Sequence, residues 1–108
     1  MKIKVLRKSR WDFPGEFPCF HVGTNVSMAA EEDDDFIGWF SCQIDGYETF
    51  VPKIFVEDGK LIREYNPTEL TQQPGDILRV VEIVGAWLLA TNENGVTGWI
   101  PAECVISV

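Results

Sequence analysis

The sequence predicts an all-β protein, and three observations support this prediction. Short segments rich in β-branched and aromatic residues recur along the whole chain. The turn dipeptides Asp45-Gly46, Asp58-Gly59 and Asn94-Gly95 separate several of these segments, and such dipeptides supply the positive φ angles of tight hairpin turns. The two halves of the chain also share one order of glycine, aromatic and proline positions. Helix is expected only as single turns after Pro52 and Pro101.

The predicted strands follow one another along the chain. In order they are KIKVL (2–6), TNVSMA (24–29), FIGWFSCQI (36–44), TFVPKIFV (49–56), KLIREY (60–65), DILRVVEIV (76–84), AWLLATN (86–92) and VTGWIPAECVISV (96–108). A proline inside such a run cannot donate a ladder hydrogen bond. We therefore expect a strand end at Pro52 and another at Pro101.

The two halves of the chain can be aligned residue by residue. The aligned pairs are Gly23 with Gly75, Trp39 with Trp87, Gly46 with Gly95, 50–52 with 99–101, and Val56 with Val105. The tryptophan and the proline are 13 residues apart in the first half and 14 in the second. This pattern predicts two copies of one small all-β unit, residues 1–57 and 58–108, with the boundary at the Asp58-Gly59 turn. Units of this size have marginal cores alone, so the copies are expected to pack against each other.

Composition restricts the class of partner. The chain has 17 acidic and 9 basic residues and a net charge of −8. Nucleic acids and anionic membranes favour clustered Lys and Arg, so neither is an expected partner. A basic or neutral ligand fits this charge better.

The three cysteines lie at irregular spacing. No signal peptide is visible, and no apolar run is long enough to span a bilayer. These observations predict a cytoplasmic protein. Cys19 and His21 have no second close pair that would complete a metal site. No cofactor, metal or catalytic group is expected, because the one histidine accompanies no nucleophile motif.

Residues 61–108 resemble a Src homology 3 (SH3) domain. The resemblance rests on a strand ending in Tyr65, on Gly75-Asp76 before an apolar strand, on Trp87 followed by Leu-Leu-Ala, and on Gly-Trp-Ile-Pro at 98–101. The first half is similar to the same family more distantly, through Gly38-Trp39-Phe40, Gly46, Phe50-Val51-Pro52 and Phe55-Val56.

The resemblance implies two tandem five-stranded SH3-like barrels whose function is binding rather than catalysis. Its ligands would be extended, proline-rich peptides that lie in a shallow aromatic groove. The groove of the second barrel would be formed by Tyr65, Glu69, Trp87, Trp99 and Pro101, with Glu69 pairing a ligand cation. The groove of the first barrel would be formed by Trp39, Phe50, Pro52 and Phe55, with Trp11 or Phe13 facing Phe55.

Two departures from the family pattern make the first groove the better candidate. Arg63 and Cys104 stand where the family usually has groove tyrosines in the second barrel, whereas the first barrel keeps an aromatic residue at Phe55. From the resemblance, Trp39 and Trp87 are expected to be partly exposed.

An acidic run precedes the first tryptophan. It consists of Glu31, Glu32, Asp33, Asp34 and Asp35. A solvated loop is the plain interpretation of five consecutive acids, and a clamp for a basic ligand beside the groove is the functional one.

The sequence therefore predicts a non-enzymatic module that binds a peptide segment of another protein, and a homo-oligomer is compatible with it. Two other classes remain open: a cell-envelope-binding module and a structural assembly domain with buried aromatic faces.

Overall fold

The computed structural model describes residues 1–8 and 16–108 and is all-β, as predicted. The described strands are β1 (Lys2–Val5), β2 (Val26–Met28), β3 (Trp39–Ile44), β4 (Tyr47–Pro52), β5 (Val56–Glu57), β6 (Lys60–Leu61), β7 (Ile77–Val84), β8 (Trp87–Thr91), β9 (Thr97–Pro101) and β10 (Val105–Ser107). Two 3₁₀ helices, η1 (Lys53–Phe55) and η2 (Ala102–Cys104), follow directly after Pro52 and Pro101. The single turns predicted at these positions are confirmed.

The chain forms two compact units. The central unit is Phe17–Pro67, and the terminal unit combines Met1–Glu16 with Thr68–Val108. This division differs from the predicted boundary between residues 57 and 58. The difference arises at the Asp58-Gly59 turn, which lies inside the central unit.

Asp58 and Gly59 form a tight hairpin turn, with φ angles of 53° and 73°. The turn pairs β5 with β6 in antiparallel register, so that Val56 lies opposite Leu61. Isolated antiparallel bridges also join Lys60 to Asn25 and Tyr65 to Phe20. Residues 60–65 therefore belong to the central unit.

The rest of the central unit is a three-stranded antiparallel sheet in the order β2-β3-β4. Its hairpin turn is Asp45-Gly46, with φ angles of 50° and 84°, as the dipeptide predicts. The hairpin places β3 and β4 in continuous register from Ile44 opposite Tyr47 to Trp39 opposite Pro52.

The terminal unit is built on a five-stranded sheet in the order β10-β1-β7-β8-β9. Strand β1, from the start of the chain, lies between β7 and β10 and is antiparallel to both. A register shift between Val80 and Glu82 marks a β-bulge in β7. Among the described residues, the strand pairing does not close the sheet of either unit into a barrel. The two closed five-stranded barrels therefore stay a prediction.

The core of the terminal unit draws on strands from both ends of the chain. Its buried members are Ile3, Val5, Leu70, Leu78, Leu88, Ala90, Ile100 and Cys104. In β1 the buried residues alternate with exposed lysines, as expected for a strand with one face on the core. In the described part of the chain, no helix is long and apolar enough to cross a membrane.

Candidate functional site

Each unit pairs the tryptophan of one strand with the proline of the next. Trp39 lies opposite Pro52 in the central unit, and Trp87 lies opposite Pro101 in the terminal unit. Proline lacks an N–H and is tolerated at such a strand end. The two pairs predicted to form the grooves are thus held in the same local geometry.

The 3₁₀ helices after these prolines are anchored in the same way. The N–H of Lys53 donates to the carbonyl of Gly38 at 2.8 Å, and the N–H of Ala102 donates to the carbonyl of Ala86 at 2.8 Å. Both acceptors are the residue before the paired tryptophan. The third residue of each helix, Phe55 or Cys104, is fully buried.

Tyr65 lies in the central unit and joins the predicted first set of groove residues. Its hydroxyl donates to the carbonyl of Phe50 at 2.6 Å. Its ring meets Phe55 edge to face, with ring centroids 5.5 Å apart. The resemblance grouped Tyr65 with Glu69 and Trp87, whereas the structure brings it to Phe50 and Phe55. The cause is the hairpin at residues 58–59, which keeps residues 60–65 in the central unit.

Arg63 completes this cluster. Its guanidinium carbon lies 4.0 Å from the centroid of the Phe55 ring, which is the geometry of a cation–π contact. Trp11 and Phe13, the predicted neighbours of Phe55, lie outside the described residues. Tyr65 and Arg63 both contact Phe55. Sequence reasoning missed this because it assigned both residues to the other copy.

The large rings of both predicted grooves are buried. Trp39 is 4% exposed, Trp87 5% and Trp99 3%, so the prediction of partial exposure for Trp39 and Trp87 is wrong. Pro52, Phe55, Tyr65 and Pro101 are buried as well. Phe50 and Glu69 are the half-buried members of the predicted sets. Of the predicted groove residues, Phe50 and Glu69 are therefore partly accessible to a ligand, whereas the large rings are buried.

In the terminal unit, Glu69 lies beside Trp99 through a parallel bridge. The N–H of Leu70 donates to the carbonyl of Trp99 at 2.8 Å, and the N–H of Trp99 donates to the carbonyl of Thr68 at 3.1 Å. These bonds occupy the outer edge of β9. Residues 68–70 therefore cover the edge strand that carries Trp99 and Pro101.

The acidic run is structurally divided. Glu31, Glu32, Asp34 and Asp35 are exposed, whereas Asp33 is half-buried. One carboxylate oxygen of Asp33 accepts the N–H groups of Asp35 at 2.9 Å and Phe36 at 3.1 Å, and its own N–H donates to the carbonyl of Trp39. Asp33 thus orders the turn that leads into β3. The other four carboxylates face solvent near that strand.

One aromatic cluster was not foreseen. Tyr47 makes edge-on contacts with Phe17 and Phe20, with centroid separations of 6.0 and 5.6 Å, and Tyr47 is 42% exposed. The sequence signal was weak, because Tyr47 follows a turn and the phenylalanines precede it by more than 25 residues.

The described residues show no grouping of three or more His, Cys, Asp or Glu side chains that could hold a metal ion. His21 and Cys19 are exposed, and the His21 ring nitrogen lies 3.5 Å from a Glu64 carboxylate oxygen. Burial raises the pKa of the Cys42 thiol to about 12, so this thiol stays protonated at neutral pH.

A comparison with known protein families gives a match for the second half of the chain. Residues 59–108 match the family described as variant SH3 domain. Residues 59–108 are therefore similar to an SH3 domain. The predicted resemblance of the second half is confirmed at this level, and that of the first half stays a prediction. No significant match was found among curated proteins or solved structures.

The SH3-like match and the compact units have different limits. The match begins at Gly59 and includes residues 60–65, which belong to the central unit in the structure. In the terminal unit, β1 lies between β7 and β10.

Proposed function

We propose that the chain is a non-enzymatic interaction module that binds a basic, extended peptide segment of another protein. The observation that carries the proposal is the variant SH3 match at residues 59–108. SH3-type domains are in general binding modules without catalytic activity, and their ligands are proline-rich segments in the extended left-handed conformation.

The proposal extends to a second SH3-like unit, the central one, in tandem with the first. Its support is the shared arrangement of tryptophan, proline and 3₁₀ helix in both units. The predicted five-stranded barrels are part of this proposal. Residues 60–65 would supply the first strand of the central unit, and β1 would supply that of the terminal unit.

The binding site is proposed in the central unit, at the predicted residues Trp39, Phe50, Pro52 and Phe55 together with Tyr65. Phe50 is half-buried and would meet the ligand first. The exposed acids Glu31, Glu32, Asp34 and Asp35 precede β3 and would attract Arg or Lys in the ligand. Affinity is expected to be weak, because a shallow site buries little area.

The experiment that tests this function is an NMR titration of the full chain with a pool of proline-rich peptides that carry Arg or Lys. Saturable shifts of the Trp39 indole N–H and of Phe50 support the site. The control pool has Gln at every Arg and Lys position and is expected to bind at least tenfold more weakly. Trp39→Ala would disturb the core, so Phe50→Ala is the better variant for removing the site.

A second variant tests the acidic clamp. Changing Glu31, Glu32, Asp34 and Asp35 to the matching amides removes four exposed charges and leaves Asp33 in place. The variant is expected to keep the fold and to lose most of the salt dependence of peptide binding. Unchanged salt dependence would contradict a role for these acids.

A second candidate function is that of a structural assembly domain with permanently buried aromatic faces. The observation that favours it is the low exposure of Trp39, Trp87 and Trp99. If neither Phe50 nor any indole resonance moves in the titration, this candidate replaces the peptide-binding one.

A further inference from the structure

The terminal unit takes one of its inner strands from the far end of the sequence. Strand β1 lies between β7 and β10 and pairs with both. On the β7 side, the N–H groups of Gly75 and Val80 donate to the carbonyls of Val5 and Met1 at 2.7 and 2.9 Å. On the β10 side, Leu6 donates to the carbonyl of Cys104 at 2.7 Å. The position between β7 and β10 is thus built to hold an extended segment by its backbone.

Side chains of β1 also complete the core. Ile3 and Val5 are 3% and 1% exposed and belong to the buried cluster of the terminal unit. Lys2 and Lys4 alternate with them along the strand and are exposed. Outside the strand, Arg7 lies 4.0 Å from a Glu103 carboxylate oxygen. The segment that fits this position has apolar residues at alternate places and a cation after them.

Residues 60–65 have a similar alternation, with Leu61 and Tyr65 buried. They also lie within the variant SH3 match. The Asp58-Gly59 turn nevertheless pairs the first two of them, Lys60 and Leu61, with β5. The bridges to Phe20 and Asn25 hold the segment in the central unit. If β1 leaves, the edges of β7 and β10 that it covered are unpaired. Residues 60–65 cannot cover them while they pair within the central unit.

We propose that the position between β7 and β10 is a strand-acceptor site, and that a second copy of this chain fills it with its own residues 2–5. Two copies then exchange β1 reciprocally, and each copy makes the backbone bonds that its own β1 made before. Such an exchange of identical elements needs no new interface chemistry, and its recognition mode is the addition of a strand to a sheet. This partner differs from the basic peptide of the proposed function.

The test uses a full-length acceptor chain that carries Ile3→Asp and Val5→Asp, which remove the two apolar anchors of β1. The acceptor is isotopically labelled and co-refolded with unlabelled wild-type chain. Hydrogen exchange is then measured at the amides of Gly75 and Val80. We expect exchange at these amides to slow at least tenfold as the wild-type chain approaches one equivalent. The amide of Phe20, which donates to the Tyr65 carbonyl in the central unit, serves as the internal control and should not change.

A synthetic peptide of residues 1–8 serves as a second probe if the acceptor's terminal unit is unfolded. The peptide is expected to restore protection at Gly75 and Val80, and a peptide with Asp at positions 3 and 5 is not. Protection by the peptide but not by the wild-type chain overturns the proposal. So does an acceptor that is fully protected without any addition, because another segment of its own chain then occupies the site.

Discussion

The hydroxyl of Tyr65 donates a hydrogen bond of 2.6 Å to the backbone carbonyl of Phe50. This bond links the segment after β6 to strand β4, whose residues Phe50 and Pro52 belong to the proposed binding site. Tyr65 is buried, so the loss of its hydroxyl leaves a poorly hydrated carbonyl.

Tyr65→Phe is therefore expected to lower the free energy of unfolding of the central unit by about 1 kcal/mol. The measurement is chemical denaturation followed by hydrogen exchange at central-unit amides. Tyr47→Phe is the matched control, because Tyr47 is 42% exposed and water can replace its bonds. Equal effects of the two variants would contradict a structural role for the Tyr65 hydroxyl.

Local features of the fold were predictable from the sequence, because they depend on neighbouring residues. The Asp-Gly turns and the 3₁₀ helices after Pro52 and Pro101 appear where the dipeptides and prolines placed them. The choice of strand partner was not predictable. Alternation in KIKV shows that Ile3 and Val5 face a core, but it does not say which core. The turn at 58–59 lies inside the central unit, and Tyr65 lies in that unit with it.

The candidate site was predictable in its residue pairs and not in its exposure. The aligned halves gave the two tryptophan–proline pairs equivalent places, and the structure adds that Trp39 lies opposite Pro52 and Trp87 opposite Pro101. Exposure depends on which segments cover the rings, and that is a matter of tertiary packing. No pattern within the strands reveals it.

Gly98 is expected to be intolerant of any side chain. A Cβ at this position would lie 3.0 Å from the Leu70 backbone nitrogen and 3.1 Å from the Thr68 carbonyl oxygen. These backbone atoms belong to the segment hydrogen-bonded to Trp99, so they have little room to move. Gly98→Ala should lower the free energy of unfolding of the terminal unit by about 1–3 kcal/mol.

Gly95 provides the matched control for this prediction. Its φ of 80° is in the left-handed region, and a Cβ there would meet nothing within 4 Å. Gly95→Asn should be tolerated within about 1 kcal/mol, since Asn adopts this conformation readily. Thermal melts of Gly98→Ala and Gly95→Asn decide the point, and similar melting temperatures would refute the close-approach argument.

Cys42 makes stability depend on alkaline pH. Burial raises the pKa of its thiol to about 12, from an ordinary value of 9.0. Between these pH values the unfolded chain loses the proton and the folded chain keeps it. The free energy of unfolding therefore falls as pH rises through this window, by at most about 1.4 kcal/mol per pH unit from this group.

Cys42→Ala removes the titrating group, so its stability should fall less steeply between pH 9 and 12 than that of the wild type, whatever its stability at pH 7. Urea denaturation at a series of pH values gives both slopes. Parallel slopes would show that the thiol does not contribute. In native protein at pH 8, a thiol reagent should modify the exposed Cys19 first and leave the buried Cys42 and Cys104 unmodified.

Asp33 is expected to act in folding, and its acidic neighbours in binding. Its carboxylate accepts the N–H groups of Asp35 and Phe36 and so fixes the turn before Trp39. Asp33→Ala should lower the free energy of unfolding of the central unit by about 1 kcal/mol. Asp34→Ala removes an exposed carboxylate of the same run and should change stability by less than about 0.5 kcal/mol. Urea denaturation of both variants measures the difference, and equal stabilities would mean that the turn forms without the Asp33 carboxylate.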